Sequence, residues 1–169
     1  AILCRKGIGL RRDTINTTQP SRVSAGIVEA PGLPDISCLS AYFDCDAEMV
    51  GGNKQLLQQV CHHARHSGRP SLVGADLQTE PKTVRQNSRT EEYGATLIAT
   101  GKADGTCTVA KEHKVIDNIL AVNGLAEMTR SINVCRGTDI QTHRPVRLTF
   151  HPRPAQMRVL RLKVPPKLG

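Results

Sequence analysis

The 169-residue sequence predicts a mixed α/β domain in which helix and sheet are arranged in layers. Two observations carry this prediction: an amphipathic helix is followed by a short apolar strand, and further strand-like segments lie on both sides of this pair. The length is normal for one domain and is sufficient to bury a core. We expect the domain to span 1–150 and a basic, proline-containing linker or tail to span 151–169.

Short runs of apolar and β-branched residues predict the strands. Ser71–Ala75 is apolar and is entered from Gly68-Arg69-Pro70, which is typical of a buried central strand. Val146–Phe150 alternates apolar with polar residues, as a half-buried strand does. The other predicted strands are 1–4, 25–30, 36–43, 115–122 and 128–135.

Helical spacing is found from Asn53 to Ser67, where Gly68 follows as a stop. The apolar residues at this spacing are Leu56, Leu57, Val60, Cys61 and Ala64. The polar segment 80–92 contains Pro81 and is expected to be a loop or a ragged helix, and 101–105 is expected to be a turn.

Three histidines lie in the same predicted helix. His62 and His66 are four residues apart and share a face, a geometry that can bind zinc. They lie on the polar side of the helix, and no acidic residue is near them in the sequence. Solvated histidines are therefore the simpler interpretation.

The charge distribution favours polyanionic partners. The net charge is +8, and Arg144–Lys167 contains seven basic residues and no acidic one. A solvated basic tail without a partner is the alternative. The chain has no Trp, two Tyr and two Phe, so contacts with nucleic acid would be made to phosphates and not by stacking on bases.

The cysteines and the hydropathy favour an intracellular protein of the nucleus or cytoplasm. No two of the six cysteines have the two-residue spacing of a zinc knuckle or redox motif. No apolar run approaches the roughly 20 residues that span a bilayer, so we expect no membrane span.

Three polar constellations could carry chemistry. Asp76 ends the apolar strand 71–75, at the position where α/β proteins place reactive groups, and Gln78 is two residues further on the same side. Asp117 interrupts an apolar strand, and a buried carboxylate needs a partner such as histidine. His143 precedes the last strand and is followed by Pro145. A turn residue at Asp76 and an exposed, structural His143 are the alternatives.

Taken in order, these segments resemble the endonuclease/exonuclease/phosphatase superfamily, which includes abasic-site endonucleases, DNase I, nuclease domains of non-LTR retroelements, and sugar or lipid phosphoesterases. The family has a strand ending Gly-Asp-Phe/Leu-Asn, then an Ile-Asp strand, then a Ser-Asp-His-x-Pro-Val strand start. The matching segments here are Gly74–Gln78, Ile116–Ile119 and Gln141–Val146. The resemblance covers about 1–150 and implies a layered α/β sandwich of the DNase I-like type.

The resemblance also implies roles for individual residues. Asp76 would align or deprotonate the attacking water, and Gln78 would help to orient the metal or the phosphate. His143 would bond to the scissile phosphate, with Asp117 orienting its ring. Tyr42, at the end of a family-like strand, would contact the phosphate. In the complete family domain Mg²⁺ on carboxylates supplies positive charge at the phosphoryl oxygens.

The sequence departs from the family in three places. Thr142 stands where the family has a metal-holding Asp, and Gln78 is one methylene longer than the family Asn. The family strands that bring an Asn and a metal-binding Glu have no counterpart before Ala1. We therefore expect a domain that is incomplete at the N-terminus and has no secure metal ligands of its own.

Three functions follow from these observations. The first is a Mg²⁺-dependent endonuclease acting on nucleic acid, most simply DNA, encoded by a retroelement and followed by a polymerase domain in the parent polypeptide. The second is a catalytically inactive remnant that binds nucleic acid through its basic surface. The third is a phosphatase or phospholipid phosphodiesterase of the same superfamily.

Overall fold

The computed structural model describes residues 2–45, 47, 49–88, 90–101, 105–107, 114–137 and 142–151, with the main chain alone at 87 and 88. The predicted basic tail lies outside the described residues beyond His151, and so does most of the predicted turn at 101–105. No helix in the described ranges is long and apolar enough to cross a membrane.

Eight strands and three helices form the described fold. The strands are β1 (Gly9–Arg12), β2 (Val23–Glu29), β3 (Ile36–Tyr42), β4 (Ser71–Asp76), β5 (Ala95–Ile98), β6 (Asp117–Val122), β7 (Thr129–Val134) and β8 (Val146–Phe150). The helices are α1 (Gly51–His66), α2 (Pro81–Ser88) and α3 (Leu125–Met128), with single 3₁₀ turns at Pro20–Arg22 and Thr90–Tyr93.

The main sheet has six strands in the order β1-β2-β3-β4-β6-β5. Only β3 and β4 are parallel, because α1 returns the chain between them. Every other neighbouring pair in this sheet is antiparallel. A second, two-stranded antiparallel sheet consists of β7 and β8.

The larger part of the core lies between α1 and one face of the main sheet. The apolar stripe of α1 is fully buried there, as its spacing predicts. It packs against alternate residues of the central strands, namely Leu39, Val73 and Leu120. Each buried aliphatic side chain contributes about 1.5–3 kcal/mol, so this contact holds the helix on the sheet. Burial raises the pKa of the Cys61 thiol to about 12, so this cysteine acts as a core residue.

The opposite face of the main sheet is covered only in part. Ala121, Leu125 and Met128 form a smaller cluster with Leu72 and Phe150, which packs β8 and α3 beneath the sheet. The remaining part of this face lines a groove of about 750 Å³. The molecule is therefore a layered α/β sandwich with an open groove on the face that α1 does not cover.

Most predicted elements are confirmed, with shifts of one or two residues at their ends. The strand predicted at 1–4 is wrong: Ile2–Ile8 forms no strand, and the first strand is β1, whose four residues are all exposed at the sheet edge. Pro81 does not prevent a helix, because proline fits the first helical turn, and α2 begins at that residue. The strand β5 and the short helix α3 were not predicted.

Candidate active site

Three polar side chains form a row across the centre of the main sheet. The Cα of Tyr42 on β3 pairs in register with that of Asp76 on β4, and Asp76 pairs with Asp117 on β6. Residues in register on neighbouring strands point to the same face of a sheet. All three line the groove on the face opposite α1.

A fourth side chain, His143, reaches this row from the segment before β8. Its Nδ1 lies 3.0 Å from Oδ2 of Asp117. Since a carboxylate only accepts, Nδ1 carries a proton and Nε2 is left for another partner. The hydrogen bond and the charge of Asp117 outweigh partial burial and raise the pKa of His143 above 6.5. The histidine therefore holds a positive charge at neutral pH more readily than an exposed one.

Thr106 fixes the position of both partners, although nothing in its sequence context singled it out. It is fully buried, and its hydroxyl accepts hydrogen bonds from the backbone N–H groups of Ile116 and Asp117, each at 3.0 Å. Its carbonyl accepts the N–H of Arg144 at 2.7 Å. The side chain and the carbonyl of Thr106 together thus tie the start of β6 to the histidine segment.

Asp76 is held by Gln78 in a tight local turn. The Gln78 side-chain Nε2 donates to Oδ2 of Asp76 at 2.8 Å, and the Gln78 backbone N–H donates to Oδ1 at 3.3 Å. Burial and the neighbouring charge of Asp117 raise the pKa of Asp76, against the opposing influence of His143 and of both Gln78 hydrogen bonds. The amide of Gln78 is thus directed at the carboxylate itself.

Backbone strain flanks the site on both sides. Of the three described non-glycine residues with positive φ, Gln78 (55°) follows Asp76 and Thr142 (71°) precedes His143. The third, Asn123 (55°), is held by side-chain hydrogen bonds to two backbone carbonyls in the last turn of α1 and to that of Arg69, three residues after the helix. A left-handed conformation is costly for a β-branched residue such as Thr142, and such strain is concentrated at functional sites.

Tyr42 is positioned by the loop that follows β3. The residue is 51% exposed and lines the groove. The next residue, Phe43, is fully buried and donates its N–H to the carbonyl of Asp76 at 3.0 Å. Buried Asn53 then fastens the loop to α1 by accepting the Asp44 N–H and donating to its carbonyl, each at 2.9 Å. These contacts hold the backbone that follows Tyr42 in place at the end of β3.

The site has the donors of a metal centre. Asp76, Asp117 and His143 each bring a ligand atom to within 4.8 Å of the others, and no other described group of histidine, cysteine or acidic residues does so. Two carboxylates suit a hard divalent cation. Such a cation would also relieve the repulsion between the carboxylates that raises the pKa of Asp76. These two residues therefore fit a divalent ion, with His143 beside it.

The predicted site residues accordingly meet in one place. Asp76, Asp117, His143 and Tyr42 line the groove together, and Gln78 contacts it through Asp76. Thr142 is next to His143 but is exposed, and it brings no carboxylate.

The fold is the one found in solved endonucleases and in a protein of the endonuclease/exonuclease/phosphatase family. The endonuclease domain of TRAS1, a telomere-specific non-LTR retrotransposon, superposes with a TM-score of 0.64 at 12% identity, over 86% of this chain and 81% of that one. An AP endonuclease from Archaeoglobus fulgidus gives a TM-score of 0.54 at 13% identity, over 85% and 70%.

A solved phosphatase structure has the same fold. A mannosyl-6-phosphatase from Bacteroides thetaiotaomicron superposes with a TM-score of 0.54 at 14% identity, over 76% of this chain and 57% of that one. No family model and no curated protein matches the sequence. The resemblance read from the motifs is thus confirmed at the level of the fold.

Proposed function

We propose that this chain is a metal-dependent phosphodiesterase domain of the endonuclease type, which acts on nucleic acid. The observation that carries the proposal is the hydrogen bond of 3.0 Å between Asp117 and His143 beside Asp76. Phosphodiester hydrolysis needs an activated water and donors at the crowded phosphoryl oxygens. An ionised carboxylate and a supported imidazolium in one groove supply both.

Each residue has a part in this mechanism. His143 binds a phosphoryl oxygen through Nε2, and its positive charge stabilises the negative charge that develops there. Asp117 keeps the ring in the required tautomer and favours its charged form. Asp76 accepts the proton of the attacking water. Tyr42 contacts the phosphate with its hydroxyl, and Gln78 positions Asp76.

A magnesium ion is the cofactor that we assign to this site. Asp76 and Asp117 would hold it, and it would supply further positive charge at the phosphoryl oxygens. Without a carboxylate at Thr142, the protein offers few oxygen ligands, so we expect weak metal binding and slow catalysis by this chain.

The choice of nucleic acid as substrate rests on charge. The net charge of +8 attracts polyanions, and Arg144 lies in the lining of the groove next to His143. A 3' phosphatase from Neisseria with the same fold was solved bound to a product DNA hairpin, and the endonuclease domain of a telomere-specific non-LTR retrotransposon shares the fold. We extend this to a retroelement origin, a nuclear or cytoplasmic location and a downstream polymerase in the parent polypeptide.

A second candidate is a nucleic-acid-binding domain without activity. Two observations favour it. The Gln78 amide donates a hydrogen bond to the Asp76 carboxylate and so competes with a metal ion or water for that oxygen, and Thr142 stands where the family has a metal-holding Asp. Such a domain would keep the fold and the basic surface. The third candidate, a phosphatase or phospholipid phosphodiesterase, is favoured only by the fold it shares with the mannosyl-6-phosphatase.

Nicking of supercoiled plasmid DNA tests the proposal. We expect Mg²⁺-dependent nicking by the wild-type chain that falls by about tenfold or more in His143→Ala, since a positioned acid contributes at least that factor. The matched control is His151→Ala, which removes an exposed histidine at the end of β8. Equal nicking by wild type and His143→Ala would contradict the assignment.

The same samples separate the alternatives. An inactive binding domain gives no nicking but retains DNA affinity that falls steeply with salt. A phosphatase releases inorganic phosphate from a phosphomonoester and leaves the plasmid intact. Absence of all three activities would reject the proposed function and both alternatives.

A further inference from the structure

A second polar cleft of about 540 Å³ lies beside the last turns of α1. We call it the histidine cleft, because His62, His63 and His66 line it together with Asp13. None of the residues that line it lines the groove of the candidate active site. Its chemistry is therefore separate from the proposed phosphodiesterase.

His62 and His66 stand side by side on one face of the helix. Their ring centroids are 3.9 Å apart and the rings are stacked. Nδ1 of His66 lies 2.9 Å from the backbone carbonyl of His62, which only accepts, so Nδ1 carries the proton. The lone pair of His66 is consequently on Nε2. Two histidines at this spacing on a helix are an established pair of metal ligands.

An acidic partner, which the sequence around the helix does not contain, comes from the segment after β1. Nε2 of His63 lies 2.9 Å from Oδ2 of Asp13, 50 residues earlier in the chain, and both side chains are 22% exposed. Burial disfavours the Asp13 carboxylate, but hydrogen bonds from His63 and from the Thr14 N–H, with the charges of His63 and Arg69, outweigh it and lower the pKa of Asp13. The cleft thus contains an ionised carboxylate, which is paired with His63 and lies near Arg69.

The helix itself adds to the attraction for a cation. All three histidines lie in the last five residues of α1, at the end of the helix whose dipole favours a positive charge. Asp13 and the helix end therefore act in the same direction. His66, whose Nδ1 is held by a backbone carbonyl, has the surroundings typical of a metal-ligating histidine.

We propose that the histidine cleft binds one divalent transition-metal ion of the Zn²⁺, Co²⁺ or Ni²⁺ class, with His62 and His66 as its protein ligands. Imidazole nitrogen prefers these ions to Mg²⁺ or Ca²⁺. Three ligand atoms within 4.8 Å of one another occur among the described residues only at Asp76, Asp117 and His143, so water completes the coordination here. The ion pair of His63 and Asp13 lies in the same cleft. It supplies charge near the metal ion and polar atoms that can bind the water molecules coordinated to it.

Titration of the reduced full-length chain with Co²⁺ in excess Mg²⁺ tests this site. The excess Mg²⁺ occupies the carboxylate pair of the candidate active site and leaves imidazole nitrogen free. We expect one equivalent of Co²⁺ to give a visible d–d spectrum without the charge-transfer band of a cobalt thiolate. Binding should also raise the Tm, because a ligand of the folded state stabilises it.

Matched variants locate the ligands. His62→Gln and His66→Gln should each weaken Co²⁺ binding by at least about tenfold, since each removes one of two protein ligands. Both residues are exposed, so the variants should fold, and circular dichroism checks this. His151→Gln is the control for an exposed histidine outside the cleft and should bind as wild type does.

The Co²⁺ titrations of wild type and variants can either support or overturn the metal site. Wild-type affinity in folded His62→Gln and His66→Gln, a thiolate charge-transfer band, or no Co²⁺ signal at all would each overturn the proposal. Asp13→Asn should reduce the affinity less than loss of a ligand does, because it removes only nearby charge. The nicking assay reports on the other site, so the two proposals can fail independently.

Discussion

Asp117 and His143 are joined by one hydrogen bond of 3.0 Å that spans 26 residues of sequence. Their side chains are 26% and 36% exposed, so the pair stands at the rim of the groove and not in the core. The bond uses Nδ1 of the ring and leaves Nε2 for a ligand. The hydrogen bond stabilises the protonated form of His143, because it is the main cause of the raised pKa of that residue.

Replacing Asp117 should lower both the fraction of His143 that is protonated at neutral pH and the nicking activity of the protein. In Asp117→Asn the pKa of His143 should fall below its wild-type value, as loss of an anionic acceptor disfavours the imidazolium. Plasmid nicking should decrease by about tenfold or more at neutral pH. An NMR titration of the imidazole C–H resonances measures the first effect. Asp35→Asn, at the opposite end of β3, is the control and should leave the titration unchanged.

The two carboxylates of the site should make the fold less stable than it could be. Asp76 and Asp117 are direct cross-strand partners, and like charges in that position are unfavourable by roughly 0.2–1 kcal/mol. Asp76→Asn should therefore raise the free energy of unfolding at neutral pH by an amount of this order, while nicking is abolished. Urea denaturation and the plasmid assay check the two effects. A destabilised but folded Asp76→Asn protein would show that the carboxylate pair is not under repulsion.

Stability should fall as the pH rises from the neutral range. The folded pKa of His143 is raised above 6.5, so the folded state keeps a proton that the unfolded state releases. Its contribution is complete below 6.5 and is lost as the pH rises through the folded value. The unfolding free energies of wild type at about pH 6 and pH 8 should therefore differ, and in His143→Gln this difference should be smaller. An equal difference in both proteins would contradict the assigned partner.

The sequence predicted those elements whose signal is periodic. The stripe of Leu56, Leu57, Val60 and Cys61 identified α1 because one face of the helix is completely buried. The strand that ends at Asp76 was found because it is apolar on both faces. In contrast, β1 reads Gly-Leu-Arg-Arg and is exposed throughout, so no pattern of burial marks it.

The candidate site was predictable as a set of residues but not as an arrangement. The order of the motifs along the sequence predicted Asp76, Asp117 and His143 as site residues. The register of β4 and β6 explains why the two carboxylates are adjacent. The contact of Gln78 with Asp76 depends on a positive φ, which composition does not reveal. The hydrogen bonds of Thr106 and of the pair Asp13–His63 join residues that are far apart in the sequence, so local sequence patterns could not predict them.

Restoring a carboxylate beside His143 should improve both the backbone and the chemistry. Thr142 adopts φ 71°, which costs roughly 1–2 kcal/mol for a residue with a Cβ and least for Asn or Asp. Thr142→Asp should relieve part of this strain and add an oxygen ligand next to Asp117. Thr142→Asn should relieve the same strain without the charge, so it is the matched control. Urea denaturation should show both variants to be more stable than wild type, by up to about 1 kcal/mol.

The two variants should differ in their response to Mg²⁺. In Thr142→Asp a third carboxylate should strengthen binding of the ion, and nicking should reach half of its maximum at a lower Mg²⁺ concentration than in wild type. In Thr142→Asn the Mg²⁺ dependence should stay close to that of wild type, because no charge is added. An identical Mg²⁺ dependence in both variants would mean that position 142 does not face the metal, and the weak metal binding expected of this chain would then need another cause.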